Sequence, residues 1–216
     1  MKKPVSIFCD MDGVVADFFP AAEKLMKSIV AGEEKIFINY EVEKIVNENI
    51  DFFNKNINSE LYLHEKFMMD SQRARDLLFT AIGCNPGLFF SSLIPLEDGI
   101  NELWPFINSL GIPVNMLTAP IDQNVSFIGT PAIEGKTAWA RKWLKPNPKN
   151  VYITPARMKY KYALSVVDGD LVPHILIDDK FSTIDAWNKA GGVGILHVPG
   201  ESMATIEAIK NHARIS

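Results

Sequence analysis

The strongest constraint on this chain is the stretch Ile7-Phe8-Cys9-Asp10-Met11-Asp12-Gly13-Val14-Val15-Ala16-Asp17-Phe18. The apolar run from Val5 to Cys9 reads as a short buried strand. It ends in two carboxylates one residue apart, followed by a glycine. Alternate side chains of a strand share a face, so Asp10 and Asp12 leave the strand end on roughly the same side, where the carboxyl edge of a sheet opens to ligands. Gly13 lets the backbone turn sharply there. Two such carboxylates repel each other unless a cation is close. A hard cation with oxygen ligands, most simply Mg²⁺, would relieve the repulsion. A surface Asp-x-Asp-Gly turn uses the same residues, and this stretch alone does not separate the two readings.

The pattern after Phe18 is helical, with Phe18, Phe19, Ala22, Leu25, Met26 and Ile29 at three- and four-residue steps and Ala31-Gly32 as the stop. From about residue 36 to 67 the chain is rich in Asn, Glu and Lys, with an apolar stripe at Val42, Ile45, Val46 and Ile50 followed by Phe52, Phe53, Ile57, Leu61 and Tyr62. Several short helices joined by polar turns account for it. A further helix runs from Ser71, its cap, through Leu78 to Ile82, and Cys84-Asn85-Pro86-Gly87 breaks the chain. This block contains no convincing strand. It reads as a helical insertion over residues 18–87, after the first strand of a core made of 1–17 and 88–216, and a small cap over the sheet edge is the usual form of such an insertion. Such lids exclude water from the chemistry they cover, although a helical subdomain away from substrate would look the same.

Beyond residue 88, helical and strand patterns alternate. Ile100, Leu103, Trp104, Ile107 and Leu110 form one helical face. The other predicted helices are 135–144, 184–190 and 202–212. The predicted strands are 112–117, 151–154, 175–177 and 193–198. Strands alternating with helices imply an α/β fold: a Rossmann-like open parallel sheet with helices on both faces.

The carboxyl ends of such strands face one crevice. Four of them carry polar groups: Asp10 with Asp12, Thr118, Thr154 with the basic segment beyond it, and Asp178 with Asp179. An apolar strand ending in paired acids is hard to explain as structure, since buried carboxylates are costly unpaired. Coordination of Mg²⁺ explains both. The hydroxyl of Thr118 can donate to a phosphate oxygen, though Thr at a strand end is also a common cap. Lys159 and Lys161 are the lysines of the basic segment beyond Thr154, where the general tendency of lysines is to be solvated. Lys136 reads as helix surface.

Composition bounds the partners. The 216 residues are 47% hydrophobic and 22% charged, ordinary for a globular protein. A net charge of −4 argues against a duplex nucleic-acid binder and leaves a single nucleotide open. Cys9 and Cys84 lack metal-ligand spacing and read as reduced thiols. The N-terminus lacks a signal-peptide pattern, and no apolar run reaches membrane length. A soluble cytoplasmic protein is expected, and a homodimer is left open.

The residues Asp10-Met11-Asp12-Gly13-Val14 resemble the first motif of the haloacid dehalogenase-like phosphatases. The longer string through Phe18, and the passage Phe89 to Pro95, are similar to the 5'(3')-deoxyribonucleotidase branch. The resemblance implies a nucleophilic Asp10, an acid/base Asp12 and Mg²⁺. Thr118 matches the second motif, with Ala119 where the branch commonly has Ser. For the third motif it favours Lys159, with Ala163 four residues on, over Lys161. The distance from these lysines to Asp178 is longer than in the animal enzymes. Ile175 to Lys180 matches the fourth motif. Mg²⁺ is then held by Asp10, the Asp12 carbonyl and the Asp178/Asp179 pair, with Asp179 favoured as the direct ligand. Phe18 would contribute to a nucleoside pocket, or to the core of its helix. Phe52, Phe53, Tyr62 and Phe67 are further aromatics able to stack on a base. The implied activity is Mg²⁺-dependent hydrolysis of (deoxy)nucleoside monophosphates through an aspartyl-phosphate. The alternatives are another small phosphomonoester such as a sugar phosphate or phosphoglycolate, a polynucleotide 3'-phosphatase, and a catalytically silent nucleotide- or phosphate-binding module.

Overall fold

The computed structural model describes residues 6–33, 35–56, 71–120 and 129–212. Its contacts divide the chain into two compact units. One is Met1–Asp17, Ile94–Pro120 and Thr137–Ser216; the other is Phe18–Leu93 and Ile121–Lys136.

In the first unit, strands β1 (Ile7–Cys9), β4 (Val114–Thr118), β5 (Val151–Ile153), β8 (Ile175–Asp178) and β9 (Val193–Leu196) form one sheet of order β5-β4-β1-β8-β9. Every pairing in it is parallel. The open parallel α/β sheet expected from the alternating pattern is therefore present. The three central strands are buried along their length, which is why they read as near-continuous apolar runs. The register sets Cys9 level with Met116 and Ile177, so Asp10, Thr118 and Asp178 all fall at the same carboxyl edge. On one face of the sheet Phe8, Leu117, Ala163 and Leu176 pack with Ile184 and Trp187 of helix α8 (Phe181–Lys189). The Trp187 indole also donates to the carbonyl of His174 at 3.1 Å. Helix α9 (Ser202–His212) contacts β9.

Two short antiparallel pairs were not expected. Strand β2 (Ala16–Asp17) pairs with β3 (Ile94–Pro95), just after the loop that follows β1. Strands β6 (Leu164–Val167) and β7 (Asp170–Pro173) form a hairpin. Its turn residues, Asp168 and Gly169, have φ of 52° and 85°, the conformation of a two-residue type I′ turn. This hairpin lies between the lysines and Asp178. The segment Gly99–Leu103 is wound as a π-helix leading into α6 (Trp104–Ser109).

The second unit is helical among its described residues. Helix α1 (Phe18–Val30) buries Ala22, Leu25, Met26 and Ile29, the stripe seen in the sequence. Asn39 caps α2 (Tyr40–Glu48) by accepting from the Val42 N–H at 2.9 Å, and α3 (Ile50–Asn56) follows. Ser71 caps α4 (Gln72–Cys84), as expected. The break at Pro86-Gly87 is the start of another helix, α5 (Pro86–Ser91), with proline in its first turn. Helix α5 buries Phe89 and Phe90, and the second unit's first segment runs to Leu93. Ile57, Leu61, Tyr62 and Phe67 lie outside the described residues.

Helix α7 (Gly129–Trp143) starts earlier than predicted and runs from the second unit into the first. It corrects the reading of Lys136 as helix surface. Ala132, Gly135, Lys136, Trp139 and Ala140 form its buried stripe, and Lys136 is 0% exposed with its ammonium 4.2 Å from the Phe90 ring centre. Such a cation–π contact is one way a buried lysine keeps its charge compensated. At Gly135 the backbone of α7 meets that of Gly87, and a Cβ would overlap the Gly87 carbonyl oxygen. Gly135→Ala should therefore cost about 1–3 kcal/mol as overpacking against rigid backbone. Gly111→Ala, at φ 72° but with open space around it, should cost only about 1 kcal/mol of backbone strain. Denaturant titration of both variants compares the two. A smaller loss at Gly135 than at Gly111 would mean that the helix contact gives way.

Candidate active site

The site is built at the carboxyl edge of the first unit's sheet. Asp10 leaves β1 at 8% exposure, and its N–H donates to the Ile177 carbonyl on β8 at 2.9 Å. The chain then coils on itself. The Met11 carbonyl accepts from the N–H groups of Val15 at 3.0 Å and Ala16 at 2.9 Å, and Gly13 N–H donates to the Ala16 carbonyl at 2.9 Å. Met11, Val14 and Val15 are fully buried and pin this loop from inside. Gly13 holds φ at 74°, and a Cβ on it would overlap the Asp179 carboxylate. Glycine is needed there for its backbone conformation and again for its missing side chain.

Lys159 comes from the 3₁₀ segment Ala156–Tyr162 and is 1% exposed. Its ammonium lies 2.8 Å from Asp10 Oδ2 and 2.7 Å from Asp178 Oδ2. Burial by itself would push its pKa down, but Asp10 and Asp178 outweigh that and hold it above the ordinary lysine range. It is therefore a fixed cation. The other oxygens of these two acids are also engaged. Asp10 Oδ1 accepts from the Met11 N–H at 2.7 Å, and Asp178 Oδ1 from the Lys180 N–H at 2.9 Å.

Asp179 differs from its neighbour. Among the described residues no hydrogen-bond donor meets its carboxylate. Burial, then the charges of Asp10 and Asp178, push its pKa up to about 8 against the opposing pull of Lys159, and Asp12 adds to the rise. Asp178 is also raised, by burial and then by Asp10, despite its bond to Lys159. Carboxylate oxygens of Asp10, Asp178 and Asp179 lie within 4.8 Å of one another. One lysine does not balance three converging acids. This all-oxygen donor set fits Mg²⁺, which takes one or two carboxylates and keeps several waters.

The remaining predicted residues are placed as follows. Thr118, the last residue of β4, is fully buried at the same edge, and its carbonyl accepts from Thr154 N–H at 3.1 Å. Asp12 stands outside the three-carboxylate cluster and acts on Asp179 through its charge. Lys161 is exposed, so of the two lysines it is Lys159 that reaches the acids. Phe18 begins α1 in the second unit, edge-on to Phe19 and Phe89 at 5.6 Å each. Phe53 is buried in that unit, while Tyr62 and Phe67 are outside the described residues. Sequence reasoning missed the contact of Gly13 with Asp179 and the two backbone N–H donors. Only the glycine left a signal in the sequence. Cys9, beside Asp10, is kept protonated by burial and then by that acid's charge, which makes it inert as a nucleophile.

The raised carboxyl groups set a pH dependence. Asp179 has a folded pKa near 8 against an ordinary 3.8. The folded state thus binds the proton more tightly than the unfolded chain. Stability from this group is fully present below pH 3.8 and is lost as pH rises through 8. Metal-free protein should therefore lose thermal stability on this account between pH 5 and pH 8.5, and Asp179→Asn should flatten that slope. Added Mg²⁺ should raise Tm more at pH 8 than at pH 5.5. Thermal scans with chelator and with Mg²⁺ read both effects, and an equal Mg²⁺ shift at the two pH values would contradict the assignment.

No protein-family model matches the sequence, and no curated protein sequence does. Solved structures resemble the fold. A candidate phosphatase from Clostridium difficile aligns over 99% of this chain and 100% of its own, at 15% identity and TM-score 0.54. The candidate HAD-hydrolase YfnB from Bacillus subtilis, solved bound to magnesium, aligns over 99% and 100% at 13% identity and TM-score 0.50. A haloacid dehalogenase-like hydrolase from Streptococcus pneumoniae aligns over 96% and 92% at 12% identity and TM-score 0.50. The chain has the fold of the haloacid dehalogenase-like hydrolases.

Proposed function

We propose that this protein is a Mg²⁺-dependent phosphomonoester hydrolase of the nucleotidase type, acting on (deoxy)nucleoside monophosphates through an aspartyl-phosphate. The observation that carries the hydrolase reading is the buried Lys159 ammonium held between Asp10 and Asp178, with Asp179 beside them. The fold shared with structures described as hydrolases and phosphatases supports it. The nucleotide part rests on the resemblance of the strings Asp10 to Phe18 and Phe89 to Pro95 to the deoxyribonucleotidases. Free thiols at Cys9 and Cys84 fit a reducing, cytoplasmic setting. Among the described residues no helix is long and apolar enough to cross a membrane.

In this reading a carboxylate oxygen of Asp10 attacks phosphorus as the bond to the leaving oxygen breaks. Asp12 gives that oxygen its proton, and the alcohol departs. Asp12, now a carboxylate, takes a proton from water as the water attacks the phosphoryl group. The Asp10–phosphorus bond breaks, inorganic phosphate leaves, and Asp12 is again protonated. Lys159 has three N–H donors. Two go to Asp10 and Asp178, which leaves the third for a phosphate oxygen. The Thr118 hydroxyl serves another. Asp10, the Asp12 carbonyl and Asp179 would hold Mg²⁺, which would add neutralisation of the phosphate charge. Asp178 serves mainly to anchor Lys159.

Phosphate release from a panel of deoxy- and ribonucleoside monophosphates and sugar phosphates tests this. Nucleotide-selective turnover should require Mg²⁺. Asp10→Asn should abolish it, since no covalent step remains. Lys159→Met should lower kcat by roughly 10²–10³-fold, the scale of one lost charge-stabilising donor. Selective turnover of a sugar phosphate would keep the chemistry and discard the substrate. No turnover by folded, Mg²⁺-loaded protein would overturn the enzyme.

A further inference from the structure

The loop that carries Asp12 is closed on itself through the Met11 carbonyl and the Gly13 N–H. Asp12 bridges to Ala16 within it. The loop therefore moves as one piece, and whatever fixes Val14 and Val15 fixes Asp12. Both valines are fully buried. They are held by the segment that follows β3. The Leu96 N–H donates to the Val15 carbonyl at 2.9 Å. Gly99 then lies backbone to backbone on the pair. A Cβ there would overlap the Val14 carbonyl oxygen and stand 3.0 Å from the Val15 Cα. The φ of Gly99 is not in the left-handed region, so glycine serves there for space alone.

Gly99 has no room to retreat from this contact. Its carbonyl accepts from the Trp104 N–H, the five-residue spacing of a π-turn. Leu103 and Trp104 are fully buried, and the Trp104 indole donates to the Pro146 carbonyl at 2.9 Å. One residue before Gly99, Asp98 Oδ2 accepts from the Ser202 N–H at the start of α9 at 3.0 Å. An element backed on two sides therefore presses on a short buried loop, and close-packed interiors pass such pressure on. Single π-turns are rare and recur at functional sites.

We propose that Gly99 is a positioning residue for Asp12. The π-turn closes on Val14 and Val15 with no side chain between, and that closeness sets where the Asp12 carboxyl stands relative to the leaving oxygen. This rests on the acid/base role given to Asp12 above. Asp10 is fixed by other means, since it is tied to the Ile177 carbonyl on β8 and to Lys159. Pressure at Gly99 therefore displaces the acid and leaves the nucleophile in place.

Amide hydrogen exchange read by NMR tests the placement without needing turnover. In the wild-type chain the N–H groups of Gly13, Val15, Ala16 and Leu96 should exchange together, as one cooperative unit. In Gly99→Ala the same groups should exchange faster, while those of β4 and β8 keep their protection. Kinetics test the consequence. For nucleoside monophosphates, whose leaving oxygen needs a proton, kcat/KM of Gly99→Ala should fall by roughly 10²-fold, the scale of a misplaced catalytic group. For p-nitrophenyl phosphate it should stay near wild type, since nitrophenolate leaves without a proton. The kcat for that substrate should still fall, with KM falling in step, because Asp12 also takes the proton of the attacking water. Gly111→Ala, strained at the amino edge of the sheet, controls for lost stability and should keep the wild-type ratio between the two substrates. A wild-type protein that turned over neither substrate would remove the hydrolase reading, and exchange alone would then decide how the loop is held. Separate exchange of the four wild-type groups, an unmoved loop in Gly99→Ala, or an equal loss on both substrates would overturn the proposal.

Discussion

The Lys159 ammonium between Asp10 and Asp178 is the interaction on which the first unit's sheet depends. Strands β1 and β8 pair in parallel and in register, so the acids that follow them must converge. Burial then leaves those charges with little water. A buried ion pair contributes little net stability compared with apolar packing, but removing one partner costs about 3–5 kcal/mol because the other charge stays behind. Lys159 is thus the condition under which this register tolerates acids at its end. One cation for three acids is an incomplete balance, and the remainder appears as the raised pKa of Asp179. That imbalance is concentrated where the strand ends converge on Lys159.

What could be read from the sequence follows from the same architecture. Parallel strands buried on both faces must be apolar throughout, so Ile7 to Cys9 and Ile175 to Ile177 stood out. The acids at their ends stood out by contrast. The resemblance favoured Lys159 over Lys161, but the local pattern alone left the choice open, because it depends on a 3₁₀ segment that leaves no clear pattern. In such a segment residues three apart lie on one face. Tyr162 packs its ring 5.9 Å from that of Phe8, so that face looks inward. Lys159, three residues earlier, shares it, while Lys161 is turned to solvent.

Other features were missed for different reasons. The β6–β7 hairpin did have a local signal, Asp168-Gly169 between Val166-Val167 and Leu171-Val172. The signal is short, one turn dipeptide between two four-residue strands. Lys136 was misplaced because charge stood in for exposure. Its position between Ala132 and Ala140 on the buried stripe of α7 was the better guide, since geometry fixes which face a residue occupies and chemistry only sets what that placement costs. Backbone donors such as the N–H groups of Met11 and Lys180 have no sequence signature at all.

The first motif itself admitted two readings, a surface turn and a loop built into a site, and burial excludes the surface turn. A surface Asp-x-Asp-Gly turn would leave its residues in water and its glycine answering only for φ. Here Asp10 is nearly buried and Met11, Val14 and Val15 are wholly so. The space over Gly13 is taken by Asp179, a residue from the other end of the chain. A turn that merely reversed the chain would tolerate a side chain pointing outward. This one would be forced against the Asp179 carboxylate. The demand on Gly13 is therefore set by the contact between the two strand ends, and the tightness of that contact marks the loop as part of the site.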